Sequence, residues 1–474
     1  MTLPSRRQLL ARCGAGLGSL ALADLLGRQG LLAADPNPLA AKKSHFAAKA
    51  KAVIWIFVNG GHSQVDTWDY KPELAKLDGK PLPNFDKTTG FFPGQVGPLM
   101  KSPFAWKQHG QCGRWVTDVF PHLAGHVDNL AFLMALASKS SVHGPAAYLQ
   151  TTGFVTPGFP AAGAWVGYAL GRLADDLPAF VVLPDPRGLP YNGNGNFSAG
   201  FLPAQHAGTV VNPAAASPIP DLAPPKSAAF VTPAASADGL DLLQQMNRQY
   251  AAERPGDSRL SARVESYELA AKMQLAAPEV FDLSKETKET HTAYGTDRKG
   301  ADGGFARNCL LARRMLAKGV RFVQVWSGAG GPANNWDNHT DIIKELPAIA
   351  RQVDQPTAAL LLDLKQRGLL ADTLVVCSTE FGRQPFTQGA TGRDHNQGTS
   401  IAWLAGAGIK GGTAYGTSDE WSWRAAEGKL YSYDVHATVL HLLGIDHEKL
   451  TVRHDGIDRR ITDVHGHVVK EVLS

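Results

Sequence analysis

The sequence predicts an α/β fold, a three-layer α/β/α sandwich on a mainly parallel sheet. Short continuous apolar runs recur along the chain and alternate with helical stretches, the pattern of strands buried on both faces. The runs end in glycine-rich or polar loops, and carboxylate- and imidazole-bearing motifs lie beside three of them. In an open sheet of this kind, functional side chains gather in the crevice at the carboxyl ends of the strands.

Taken in order, Val53–Val58 is an apolar run ending in Asn59-Gly60-Gly61-His62-Ser63, a buried strand with a turn that lets a ligand approach the backbone. Leu130–Leu136 is a second strand, leading to His143-Gly144-Pro145 and a helix that ends near Gly153; Ala179–Pro184 is a third. From about Asp185 to Gly304 glycine, asparagine, proline and alanine dominate, with a polar helical stretch from Leu240 to Leu275 broken at Pro255-Gly256. This reads as an insertion packed beside the sheet. After it, Arg307–Lys318 is helical and precedes a strand at Arg321–Trp326. Ile342–Gln366 carries an apolar stripe and ends before Gly368, with Pro347 and Pro356 expected to kink or split it. Strands follow at Thr373–Ser378 and Ser400–Leu404, then a helix over Asp434–Leu443 with Asp434 as N-cap and Gly444 past its end.

The 474 residues are 44% hydrophobic and 19% charged, with a formal net charge of +4. That excess is too small, and basic residues too dispersed, for a nucleic-acid partner. Residues 1–34 read as an export leader. Arg6-Arg7 precedes a mild apolar stretch from Cys13 to Ala23 and a small-residue end at Leu32-Ala33-Ala34, the order expected of a twin-arginine signal peptide. The expectation is a mature chain carried by the twin-arginine machinery to the periplasm or cell envelope, with no stable membrane span. It is expected to form one domain over residues 45–474. Cys112, Cys309 and Cys377 fit neither a zinc ribbon nor a disulfide framework. Cys377 reads as a buried structural thiol; pairing of the other two stays open.

Three motifs carry the chemistry: Trp336-Asp337-Asn338-His339, Thr379-Glu380-Phe381-Gly382-Arg383 and Gly392-Arg393-Asp394-His395. Each alone reads more readily as polar loop residues or helix caps than as a site. Three beside strands point to a shared metal site, because cations need deprotonated O and N ligands. Asp337 and His339, two apart, reach one cation if their loop is extended, and His395 completes a two-imidazole, one-carboxylate set. Glu380 is a ligand to a second ion, a general base, or a salt-bridge partner of Arg383 or Arg393. Arg383 and Arg393 form a clamp for an oxyanion or are surface residues. Asp394 is a ligand or the acceptor that orients a histidine. His62 and Ser63 lie near the crevice or serve the turn. His436 and His441, on the last helix, are assigned to packing or solvent.

The string Asn59-Gly60-Gly61-His62-Ser63 with Asp66-Thr67-Trp68-Asp69, the three motifs above and Gly408-Ile409-Lys410-Gly411-Gly412 together resemble the domain of unknown function 1501 family over nearly the whole chain. That family is similar to the alkaline phosphatase and sulfatase superfamily, which implies an alkaline phosphatase-like fold and a metal-dependent hydrolase. The resemblance sets Asn59 where sulfatases begin their metal site with aspartates. Counting back from Thr151-Thr152-Gly153, it sets His143 in the place of the nucleophile, where metal ligand or general base is favoured over direct attack on phosphorus; the alternative is a capping or core histidine. Phe381 stands where the superfamily often has a metal-binding partner. The missing cysteine excludes formylglycine chemistry. The function expected is an exported hydrolase of a phosphate or sulfate ester, on a small molecule or polysaccharide, using zinc, manganese or calcium. The alternative is a catalytically degenerate, metal-binding or structural protein of the envelope.

Overall fold

The computed structural model describes residues 39–82, 89–213, 232–253 and 279–474; the leader, most of the Pro213–Ala235 stretch and the region around Pro255-Gly256 lie outside them. The elements that place the site are β1 (Ala52–Val58), β2 (Leu130–Leu136), α1 (His143–Thr152), α2 (Ala162–Leu170), β3 (Phe180–Leu183), β4 (Thr209–Val210), α3 (Gly300–Ala317), β5 (Phe322–Ser327), α4 (Ile342–Gln366), β6 (Thr373–Ser378), β7 (Ser400–Gly406), β8 (Ala414–Tyr415) and α5 (Ser432–Leu442).

The eight strands form one sheet in the order β8-β2-β7-β6-β1-β5-β3-β4. β1 pairs in parallel with β5 and β6, while β7 runs antiparallel to both β2 and β6. Every residue of β1 is buried, as a central strand covered on both faces requires. Its alternate side chains serve two cores. Ile54, Ile56 and Val58 pack with Phe305 and Leu310 of α3 and Leu346 and Leu360 of α4. Val53, Trp55 and Phe57 pack with Trp165 of α2 and Val435 and Val439 of α5. The result is the expected three-layer α/β/α sandwich with a mainly parallel sheet.

Reversal of β7 decides where its motif lands. Because β7 is antiparallel, its start at Ser400 lies at the edge where β1, β2, β5 and β6 end. The Arg393–His395 segment before it therefore joins the loops that follow those strands. Gly382-Arg383 pairs with His395-Asn396 in a two-residue antiparallel ladder, tying two of the motifs together.

Some local expectations are corrected. α4 is one 25-residue helix with both prolines inside it, so neither splits it. The N-cap of α5 is Tyr431; Asp434 is its third residue and its carboxylate accepts from the Tyr431 N–H at 2.8 Å, so Asp434 fastens the first turn from inside the helix where an Asp N-cap was expected. Cys112, Cys309 and Cys377 are all free thiols, and Cys377 is buried as predicted. No helix among the described residues is long and apolar enough to cross a membrane.

Candidate metal centre

The turn after β1 is built for close approach. Asn59 ends the strand, and Gly60 takes φ +122°, with backbone atoms of Trp336 and Asp337 where a Cβ would stand. The Trp336 N–H donates to the Asn59 carbonyl at 3.0 Å. The Trp336 indole is buried and donates to Ser327 at the end of β5. These contacts hold Asp337 against the strand ends.

Around Asp337 three imidazoles converge. Its Oδ1 lies 2.8 Å from His339 Nε2, 3.1 Å from His395 Nε2 and 3.3 Å from His143 Nε2. The His339 and His395 Nε2 atoms are 2.9 Å apart. One ligand atom from each of the four residues lies within 4.8 Å of every other. The second nitrogen of each ring is already used. His395 Nδ1 donates to the Ser141 carbonyl at 2.6 Å. His143 Nδ1 meets Glu380 Oε1 at 2.7 Å, and His339 Nδ1 meets Gln388 Oε1. The Gln388 amide nitrogen donates onward to Gln95 at 2.9 Å, which keeps its oxygen towards His339. With acceptors on all three Nδ1 atoms, the neutral tautomer of each ring turns its Nε2 lone pair towards a carboxylate oxygen. His143 Nε2 is buried and has no hydrogen-bond partner. Lone pairs facing one another in this way repel unless a cation lies between them, and outer hydrogen bonds that orient the rings are the usual frame of a metal site. The donor set suits a borderline divalent cation.

Charge follows the geometry. Burial would raise Asp337, but Arg383 and the three imidazoles hold its carboxyl well below the usual range. Burial pushes His395 down to about 3 despite the Asp337 contact, so it is neutral and free to coordinate. For His143 burial pulls downwards, but the contacts with Asp337 and Glu380 outweigh it and leave the imidazole raised.

Other expected site residues stand elsewhere. Glu380 is fully buried beneath His143, accepting also from the Gly60 N–H and the Thr379 hydroxyl at 2.8 and 3.0 Å; it bridges neither arginine. Arg383 pairs with Asp337 at 2.6 Å and donates to the carbonyls of Gly60, Gly61 and Arg393. Arg393 pairs with Asp66 at 2.6 Å. Both arginines are fully buried with their donors consumed, so the expected two-arginine clamp is not formed. Asp394 accepts from the Phe91, Phe92 and His395 N–H groups at 2.9, 2.9 and 2.7 Å. Its carboxyl is 4.0 Å from His339 Nδ1 and outside the four-residue group. Asn59 is likewise outside, donating to the Gly328 and Ala329 carbonyls. His62 hydrogen-bonds Thr67, packs on Trp336 and is fully buried, which lowers it to about 3. Ser63 donates to Asp66.

The centre opens into a cavity of about 1040 Å³ lined by Phe91, Phe92, Tyr191 and Asn335 as well as its own residues. Sequence reasoning missed these walls. Tyr191 stacks on His143 with ring centroids 4.4 Å apart and planes 6° from parallel. Phe91 and Phe92 flank His395 and His339 at 5.2 and 5.3 Å. Only the Tyr191-to-Asn196 cluster of turn residues hinted that this loop does anything.

Residues 50–473 match the family described as "Protein of unknown function (DUF1501)". The chain belongs to the DUF1501 family. A search of curated proteins found no match for this DUF1501 chain. Among solved structures it is similar to the lipoteichoic acid synthase LtaP from Listeria monocytogenes, at 10% identity and TM-score 0.35, covering 86% of this chain and 76% of that one. It is similar to the PsFucS1 sulfatase from Pseudoalteromonas sp., at 13% identity and TM-score 0.36, covering 91% and 71%. It is similar also to the alkaline phosphatase of the Antarctic bacterium TAB5, at 10% identity and TM-score 0.33, covering 84% and 98%. Such values are too low to transfer chemistry, which rests on the site itself.

Proposed function

We propose that this DUF1501 chain is an exported metal-dependent hydrolase of a phosphate or sulfate ester. The observation that carries the reading is the meeting of three Nε2 atoms, each on a ring already hydrogen-bonded through Nδ1, and the Asp337 carboxylate at the mouth of a roomy cavity. His339, His395 and Asp337 would hold a divalent cation. When bound, such an ion polarises an ester oxygen and lowers the pKa of water towards neutrality. His143 faces the same point. Its Nδ1–H is pinned on the buried Glu380, so its Nε2 is presented in one orientation to take a proton from attacking water and return it to the leaving oxygen. Glu380 holds the ring and stabilises the imidazolium, and the raised His143 suits that duty. The His143 and Gly144 backbone opens α1 into the cavity, and a helix N-terminus favours a nearby oxyanion. Arg383 balances the charge of Asp337. Export is read from the Arg6-Arg7 leader, and lysines at both positions should trap the precursor in the cytoplasm.

The test is metal analysis of the purified protein with turnover of aryl phosphates, phosphodiesters and aryl sulfates. His339→Ala should lose both metal and turnover. His143→Ala should keep its metal while turnover falls by roughly 10²–10⁴-fold, the usual contribution of a positioned base. Metal bound stoichiometrically with no ester turned over would instead favour a metal-binding protein without catalysis. The saturated arginines are the observation on that side. A wild-type protein that binds no divalent cation would sink both readings.

A further inference from the structure

A second cavity, of about 500 Å³, shares His395 with the larger one. The four-residue centre therefore borders this second chamber through that one ring. The second chamber has a distinct chemistry. Lys139, Arg424 and Lys429 line it, and no Asp or Glu does. Each cation rests on an aromatic ring: Lys139 Nζ lies 4.6 Å from the Tyr433 ring centroid, Arg424 4.0 Å from Trp423 and Lys429 5.1 Å from Tyr431. Among the described residues none of the three has a carboxylate partner. Gln384 lines the same space, is 1% exposed, and its amide oxygen has no hydrogen-bond partner.

The wall is also rigid. Asp419 accepts from the N–H groups of Trp421, Trp423 and Arg424, at 3.2, 2.7 and 3.0 Å. Ser422, buried at φ +63°, has its carbonyl bonded by both Gln64 and Asn396. The turn that presents Trp423 and Arg424 is thereby fastened to the metal-bearing loops.

We infer that this cavity is a binding site for an anionic sugar unit adjoining the scissile ester. It rests on the reading of the four-residue centre as the reacting site. Three unneutralised cations call for negative charge. An inorganic oxyanion would leave most of the space empty, and sulfate would offer no donor to the orphaned Gln384 oxygen. A sugar hydroxyl supplies that donor, and Trp423 and Tyr431 supply flat apolar faces for a ring, as amphipathic side chains do at wet interfaces. A substrate threading past His395 would place its ester at the centre and its charged neighbour on Lys139, Arg424 and Lys429. Binding energy from this remote contact is then available to the reaction.

The experiment is calorimetric titration of the purified protein, both metal-loaded and EDTA-treated, with a sulfated dextran tetrasaccharide. The uncharged dextran tetrasaccharide and a single-stranded oligonucleotide of equal charge are the comparisons. The sulfated sugar should bind with or without metal and more tightly than either comparison. The double variant Lys139→Gln, Lys429→Gln should bind it about tenfold more weakly, the loss expected of two partly exposed ion pairs. Trp423→Ala should weaken it with all cations intact, and Lys107→Gln, on the exposed surface, should bind as wild type. Equal binding by wild type and the double variant, or an oligonucleotide that binds as tightly as the sugar, overturns the inference. Lysine-dependent sugar binding without turnover of any ester leaves the cavity standing and removes the hydrolase reading. Turnover of an aryl ester without sugar binding does the reverse.

Discussion

Removing Asp66 should cost the protein several kcal/mol of stability through Arg393, a residue the sequence motif offered for anion binding. Asp66 and Arg393 are both fully buried. The guanidinium makes two parallel bonds to the carboxylate, Nε to Oδ2 at 2.6 Å and Nη2 to Oδ1 at 2.9 Å. Its Nη1 donates to the Gln384 carbonyl, and its Nη2 also reaches the carbonyls of Met100 and Lys101. Two charge-assisted hydrogen bonds at about 1.5–3 kcal/mol each sum to about 3–6 kcal/mol. That agrees with the 3–5 kcal/mol typical of stranding one member of a buried ion pair. Asp66→Ala should therefore lose about 3–5 kcal/mol, measured by urea unfolding of the metal-loaded protein. The double variant Asp66→Leu, Arg393→Met removes both charges and should recover much of the loss, because well-packed apolar replacements of a buried pair are often neutral. If Asp66→Ala stays within about 0.5 kcal/mol of wild type, the level of an ordinary surface change, Arg393 does not depend on Asp66. Its assignment as a fastener of the loop before β7 would then fall. A variant that instead keeps full stability but raises KM for anionic esters would return Arg393 to substrate binding.

Two further outcomes follow from the same coordinates. Gly60→Ala would set a Cβ 2.5–2.9 Å from the Trp336 and Asp337 backbone at φ +122°, so metal affinity should fall sharply without any ligand being altered; isotherms matching wild type would mean that the turn does not position Asp337. His436 is fully buried, its Nε2–H donating to the Gln150 carbonyl at 2.9 Å, and burial lowers it to about 4. A base depressed on folding contributes fully above its unfolded value of about 6.5 and loses that contribution as pH falls towards 4, at about 1.4 kcal/mol per pH unit. His436→Gln should therefore show a shallower stability loss than wild type between pH 6.5 and 4 in parallel urea titrations, and identical slopes would count against a neutral buried imidazole.

How much was legible beforehand differs between layers and site. β1, β2, β5 and β6 read directly, because a strand buried on both faces has to be apolar throughout. So did the meeting of Asp337, His339 and His395, since each motif abuts a strand end. The order of the strands was not readable. The antiparallel setting of β7, which turns a motif before a strand into a neighbour of motifs after strands, depends on pairing that no local pattern encodes. Nor do charges in a motif announce their partners. Arg383 and Arg393 look alike in sequence, yet one neutralises Asp337 of the four-residue cluster and the other a buried aspartate on the β1 loop. Phe91 and Phe92 carry no signal at all, because an aromatic in a loop becomes a wall only through tertiary contact.

The two departures that argued for degeneracy, Asn59 and Phe381, take on a different sense in three dimensions. Asn59 donates to two carbonyls beyond β5 and thereby sets the path of the loop leading to Asp337. Phe381 is fully buried under the imidazoles, 4.9 Å from His143 and 4.5 Å from His395. An aromatic floor there takes the room that a second set of donors would need. Glu380, its neighbour in sequence, is then held by the Gly60 N–H and the Thr379 hydroxyl and turned towards His143. Among the described residues one group of convergent ligands exists. Both substitutions therefore fit a centre with one cation, one oriented histidine and attack by water. On the proposed reading, a missing second ion and missing chemistry are separate matters, and Asn59 and Phe381 bear only on the first.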